Sequence, residues 1–170
     1  MKGKLFWLYV MIIAMTVANC AKQNVSSLSS NNTTETYMLE PIGVVRSELR
    51  NLEDAPRQGY EGAPDAWLEI YPPFRNALEG ISPNSEVIIL TWLHLADRDV
   101  LQVHPRGDPS RPLTGVFATR SPARPNPIGL HRVTVLEIDK KRGIRVHPLE
   151  AIDGTPVLDI KPVLVQSRDE

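Results

Sequence analysis

Short stretches of alternating apolar and polar positions, separated by proline- and glycine-rich segments, recur from about residue 37 onward. "YMLEPIGVVRS" is rich in β-branched residues and predicts a first strand over Met38–Arg46. "LRNLEDAPRQGYEGAPD" is punctuated by Gly and Pro and predicts a long loop. "AWLEIYP" alternates as a short strand, and "PFRNALEGI" predicts a short helix ending near Gly80. "SEVIILTWLHLA" is a continuous apolar run of strand length and predicts a buried central strand. "DVLQVHP" and "TGVFATR" are shorter strand candidates around a proline-rich turn. "LHRVTVLEID" and "GIRVHPLE" flank "KKRG" and predict a hairpin, and "TPVLDIKPVLV" supplies a last strand. Many short strands without a long amphipathic helix or strand–helix alternation predict a mainly β domain over residues 37–166. Its expected form is an antiparallel β-barrel with short helices and long loops.

Composition sharpens this picture. Fifteen prolines with only 6% aromatic residues disfavour a helical bundle. A net charge of -1 gives no global attraction for polyanions, so any nucleic-acid contact must come from a local basic patch. Cys20 is the single cysteine, which excludes an internal disulfide and a cysteine-based zinc site. His94, His104, His131 and His147 lie on separate segments without the spacing of metal ligands, so no metal is expected.

The first 36 residues obey another logic. Lys2 and Lys4 precede an apolar run from Leu5 to Ala18, short of the roughly 20 residues that cross a bilayer comfortably. A basic start, an apolar core and small residues near a break predict a signal peptide or lipoprotein signal over residues 1–20, with Cys20 as the acylated residue. Asn19 stands where such a box usually carries a smaller residue. Residues 21–36 are rich in Ser, Asn and Thr and predict a flexible tether. An uncleaved anchor and a true start at Met38 are the competing readings.

The densest candidate chemistry is "RSPARPNPIGL", residues 120–130. Pro122, Pro125 and Pro127 restrict their own φ and bias the residues before them toward extended backbone. Such a loop loses little entropy on engaging a ligand. Arg120 and Arg124 offer planar donors to carboxylate or phosphate, and Gly129 is expected to permit a turn. A purely structural cap over a barrel fits the same residues. Weaker candidates are "APRQG" (55–59), His94 at the end of the apolar run, and "DGTP" (153–156), whose backbone amides are expected to cradle a polar ligand. For these a solvated loop, a rim histidine and a plain turn are the alternatives. No Gly-X-Gly-X-X-Gly comes after a strand, which excludes a Rossmann nucleotide site.

Taken in order, "PIGVVRS", "APRQG", "HPRGDPSRPLTGVFATRSPARPNPIGLHRV" and "DGTPVLDIKP" resemble the TsaA-like (TrmO) family of S-adenosylmethionine-dependent tRNA methyltransferases. The resemblance runs from about Pro41 to Val163. It implies a β-barrel methyltransferase, S-adenosyl-L-methionine as cofactor, and a homodimer whose site is completed by the partner subunit. The implied reaction methylates N6 of threonylcarbamoyl-adenosine at tRNA position 37. Cofactor contacts implied for this chain are Pro56, Arg57, Gln58, His94, Leu95, Arg120, Leu130, Asp153, Gly154, Thr155 and Pro156. Leu95 departs from the polar residue common there in the family, which leaves a backbone contact. Arg124 and Lys161 are candidates for phosphate contact with RNA. No residue is singled out as proton acceptor. The export-like N-terminus sets up a second expectation, a lipid-anchored domain that binds a nucleoside-like or anionic ligand without catalysis. Membrane attachment or secretion and a cytoplasmic site of action are thus opposed expectations.

Overall fold

The computed structural model describes residues 37–164. The expected signal over 1–20, its Cys20 and the tether over 21–36 lie outside the described residues. Eight strands occur: β1 Gly43–Arg46, β2 Ala66–Ile70, β3 Glu86–Trp92, β4 Gln102–Val103, β5 Thr114–Gly115, β6 Ile128–Asp139, β7 Gly143–His147 and β8 Pro156–Pro162. Six of them close into a barrel in the order β1-β2-β7-β6-β3-β8. Every neighbouring pair is antiparallel. The mainly β, antiparallel-barrel expectation therefore holds.

The alternation read from the sequence is the alternation of the barrel wall. On β6, Gly129, His131, Val133 and Val135 are buried while Ile128, Leu130 and Arg132 are exposed. On β3 the inward set is Val87, Ile89 and Thr91. Val45, Leu68, Ile70, Ile144, Val146 and Val157 complete the interior. Each large aliphatic side chain of this set contributes roughly 1.5–3 kcal/mol by leaving water. The β6–β7 hairpin forms where "KKRG" predicted it. Asp139 Oδ1 accepts from the Lys141 and Arg142 amides at 2.7 and 3.2 Å. Gly143 closes the turn at φ 143°, where a Cβ would lie 2.0 Å from the Leu68 carbonyl oxygen.

Several expectations need correction. The first strand spans Gly43–Arg46, not Met38–Arg46, and residues 37–40 are exposed. Pro41 has no amide to donate to a ladder, and barrel bonding begins with the Ile42 amide on the Val157 carbonyl. The apolar run does not make a strand buried on both faces. β3 ends at Trp92 and buries one face, with Leu93–Ala96 closing a turn. The short helix is a 3-10 helix over Pro72–Leu78, with its two prolines in the first turn, where no amide donor is needed. The two short strand candidates keep only two residues each and pair as a separate ribbon, β4 with β5.

Strand direction decides where the loops gather. With all six neighbours antiparallel, the C-terminal ends of β1, β7 and β3 share one rim with the N-terminal ends of β2, β6 and β8. The loops 47–65, 93–127 and 148–155 therefore all leave from this one mouth. The 3-10 helix Pro72–Leu78 comes after β2 at the opposite end.

Candidate functional site

The mouth gathers four of the segments singled out in the sequence. Pro56, Arg57 and Gln58 lie on the β1–β2 loop, with Arg57 exposed and its neighbours half-buried. The loop is set by a 3-10 turn, in which the Gln58 and Gly59 carbonyls accept from the Glu61 and Ala63 amides at 3.0 Å each. Glu61 in turn pairs with Arg106 at 2.6 Å, tying this loop to the segment after β4. His94 and Leu95 are exposed in the turn after β3. The Leu93 amide donates to the Pro127 carbonyl at 2.8 Å, which joins that turn to the proline-rich loop.

The proline-rich loop is held from inside. Arg124 is half-buried, and its guanidinium donates to the carbonyls of Ser121 at 2.9 Å and of Val116 and Thr119 at 2.7 Å each. The Arg124 amide also donates to the Asp97 carbonyl at 3.0 Å. Arg98 lies 5.4 Å over the Trp92 ring and donates to the Pro125 carbonyl. Arg124 is thus a loop clamp, its donors already engaged by backbone. Arg120, by contrast, is exposed, and both Arg120 and Arg57 form no hydrogen bond or ion pair among the described residues. They are the available guanidinium groups of these two loops.

Asp153–Pro156 joins β7 to β8. The Asp153 carboxylate accepts from the Ser47 amide at 3.1 Å and pairs with Arg50. The Asp153, Gly154 and Thr155 amides donate to the carbonyls of Leu49, Val45 and Ile152. The expected amide cradle is therefore absent from this turn, because two of the amides tie it to β1 and the loop after it, and the third closes the turn itself. What the turn can offer a ligand is oxygen acceptors. Gly154 has φ 80° with open space where a Cβ would project. Thr155 is buried, Pro156 pairs with Val44, and Leu130 lies on the outer face of β6. Lys161 pairs with Asp159 at 2.8 Å near the far end of β8, away from the mouth.

Three residues that were not among the expected ligand contacts meet at this mouth. Thr91 Oγ1 is 2.9 Å from His131 Nε2 inside the barrel, and His131 Nδ1 is 2.9 Å from Glu150 Oε1. The second contact is within ion-pair distance, although its N–H direction falls outside hydrogen-bond geometry. Burial works against the charged form of Glu150. His131 and a backbone amide outweigh it and leave the carboxyl below its ordinary range. A signal for His131 was present: it occupies the inward phase of β6, in step with Val133 and Val135. Glu150 is on a loop and carried no such signal.

Gly129 has a different purpose from the turn expected of it. It is a strand residue paired with Thr91, and a Cβ there would lie 2.3 Å from Thr91 Oγ1 and 2.6 Å from His131 Nε2. Its missing side chain makes room for the Thr91–His131 contact.

Known proteins resemble this chain in sequence and fold. The family profile described as tRNA-methyltransferase O N-terminal domain matches residues 44–169. A probable S-adenosyl-L-methionine-binding protein of Methanothermobacter thermautotrophicus is 47% identical over 124 residues, covering 73% of this chain and 88% of that relative. An S-adenosyl-L-methionine-binding protein of Archaeoglobus fulgidus is 44% identical over 124 residues, covering 73% of this chain and 87% of its own. The crystal structure of TrmO from Pseudomonas aeruginosa superposes with a TM-score of 0.62 at 34% identity, covering 81% of this chain. This chain spans 61% of that TrmO chain.

Proposed function

The chain belongs to the tRNA-methyltransferase O N-terminal domain family, and from that premise we propose that it is an S-adenosyl-L-methionine-dependent tRNA methyltransferase. The proposed acceptor is N6 of threonylcarbamoyl-adenosine 37. The observation that carries this reading is convergence: the loops with Pro56–Gln58, His94–Leu95, Arg120 and Asp153–Pro156 all leave one barrel mouth.

The donor set suits such a cofactor. Its methionine end carries a carboxylate, and Arg57 and Arg120 are exposed guanidinium groups with no internal partner among the described residues. Its adenine and ammonium groups donate hydrogen bonds, and the Asp153–Gly154 turn presents acceptors while its amides serve the rim. When bound, the cofactor supplies an electrophilic methyl group on a sulfonium. The protein's part is then chiefly positioning, because in-line displacement gains most from a fixed approach of the two reactants. Three prolines and the Arg124 clamp hold the Arg120 loop in one shape before any ligand arrives. For RNA, Arg124 adds positive charge near the mouth while its hydrogen bonds stay with the loop. Lys161 lies toward the far end of β8 and pairs there with Asp159. The same reading includes a homodimer, supported by the exposed Leu101, Leu113 and Phe117 beside the β4–β5 ribbon.

The test is methyl transfer from isotopically labelled S-adenosylmethionine to tRNA by the full chain. Label is expected in tRNA that carries threonylcarbamoyl-adenosine and absent from the same tRNA lacking that group. Equal labelling of both, or of neither, contradicts the proposed acceptor.

A further inference from the structure

Inside the barrel top, a hydroxyl, an imidazole and a carboxylate stand in line: Thr91, His131 and Glu150. Exposure falls along the line, from 21% for the Glu150 side chain to 5% for His131 and 0% for Thr91. The core cluster around it is aliphatic, so this polar line is an exception that stability alone does not call for. Well-packed apolar residues commonly replace buried polar groups without loss of stability.

Its neighbours show what it touches. A Cβ on Gly59, the last residue of "APRQG", would lie 3.1 Å from Glu150 Oε2, so this loop's backbone rests on the outer end of the line. A Cβ on Gly129 would strike both Thr91 and His131, so the end of the proline-rich loop rests on the inner end. At Thr91 the pairing of β3 with β8 shifts register. Such bulges re-aim side chains beside functional sites. Two residues on, Leu93 bonds to Pro127 and leads into His94. One rigid line thus underlies three of the four segments at the mouth.

We propose that Thr91, His131 and Glu150 form a positioning brace that sets the spacing of the 55–62 loop, the turn after β3 and the 120–130 loop. The negative carboxylate 2.9 Å from Nδ1 favours the ring proton on that nitrogen and leaves Nε2 to accept from the Thr91 hydroxyl. The ring is held on both sides, and the two glycine-bearing backbones pack onto a fixed surface. The consequence for ligand binding rests on the cofactor reading of the mouth. The consequence for loop order does not.

The test uses the full chain and two readouts, S-adenosylmethionine affinity by calorimetry and amide hydrogen exchange. The double variant Thr91→Val/His131→Leu replaces both inner partners by apolar groups. Its dissociation constant is expected to rise at least 10-fold. The amides of Glu61, Ala63, Leu93 and Ile128, each bonded within or between the mouth segments, are expected to exchange at least 10-fold faster. Amides in the β2–β7 ladder should stay near wild type, while the melting temperature falls by only a few degrees for the lost pairing of Glu150. Glu150→Gln, which keeps the side-chain shape and an oxygen beside His131, is expected to remain within about threefold of wild type on both readouts. Wild-type exchange at those four amides in the double variant overturns the brace, as does a uniform loss of protection across the barrel. Should the double variant fail to fold, Glu150→Ala carries the same exchange expectation at the more exposed end. If the wild-type protein takes up no S-adenosylmethionine, the cofactor reading fails, and the exchange result still decides the brace.

Discussion

Adding a single methyl group at Gly129 puts the geometry of the barrel mouth under a sharp test. In Gly129→Ala the new Cβ falls 2.3 Å from Thr91 Oγ1, 2.6 Å from His131 Nε2 and 3.1 Å from Leu93 Cδ2. The two nearest atoms cannot yield cheaply. Thr91 is β-branched, fully buried and stiff at χ1, and the His131 ring is held between Thr91 and Glu150. Overpacking of this kind typically costs about 1–3 kcal/mol, and losing the Thr91–His131 hydrogen bond adds about 1 kcal/mol. A total of about 3 kcal/mol is expected. For a domain of this size, that corresponds to a fall in Tm of roughly 10–15 °C. Urea unfolding followed by circular dichroism reads the change directly, with Gly115→Ala as the control because a Cβ there meets nothing within 4 Å. Removing the Thr91 side chain in the same molecule should recover part of the loss, making the pair non-additive. A Gly129→Ala protein as stable as wild type refutes the packing argument and the place of Thr91 and His131 within it.

Three other outcomes are expected of the same structure. Arg120→Ala removes an exposed side chain without an internal partner among the described residues, so Tm should hold within a degree or two while S-adenosylmethionine affinity falls about 10-fold by calorimetry, whereas unfolding would make that arginine structural. Arg124→Ala removes three guanidinium hydrogen bonds to carbonyls, of which that of Val116 alone keeps other donors among the described residues, in the Thr119 amide and hydroxyl, and should cost roughly 2 kcal/mol locally, read as faster limited proteolysis between residues 116 and 125. Glu150 sits below its ordinary range, so its stabilising contribution is complete above the unfolded carboxylate value and is lost as pH falls through the lower folded value. Glu150→Gln should flatten the acid limb of the stability–pH curve, and an unchanged limb would remove Glu150 from the account.

The legible part of this fold is the part governed by alternation. β6, β7 and their hairpin are readable because Val133, Val135, Ile144 and Val146 fall on one face, and "KKRG" ends on the glycine that the turn geometry requires. β4 and β5 defeat the same reading. The apolar residues beside them, Leu101, Leu113 and Phe117, stay exposed, so hydrophobicity there reports no strand buried in the barrel. Gly129 was recognisable as special, but glycine leaves the same mark whether a turn needs positive φ or a neighbour needs the space. Arg124 and Arg120 look alike four positions apart, and only the folded loop turns one inward to carbonyls and leaves the other exposed. The paired amides of Asp153 and Gly154 illustrate the same limit, since their acceptors Leu49 and Val45 come from β1 and its loop, more than a hundred residues earlier. Long-range partners of this kind leave no local pattern.

The central claim is that the loops of one barrel mouth assemble a site for S-adenosylmethionine around Arg57 and Arg120. Its most direct measurement is a crystal structure of the full chain grown with S-adenosylmethionine. The account predicts the ligand at the mouth, with its carboxylate on Arg57 or Arg120 and its adenosine or amino group against the Asp153–Pro156 turn. Ligand bound at the opposite end of the barrel, or contacting neither arginine, would contradict it.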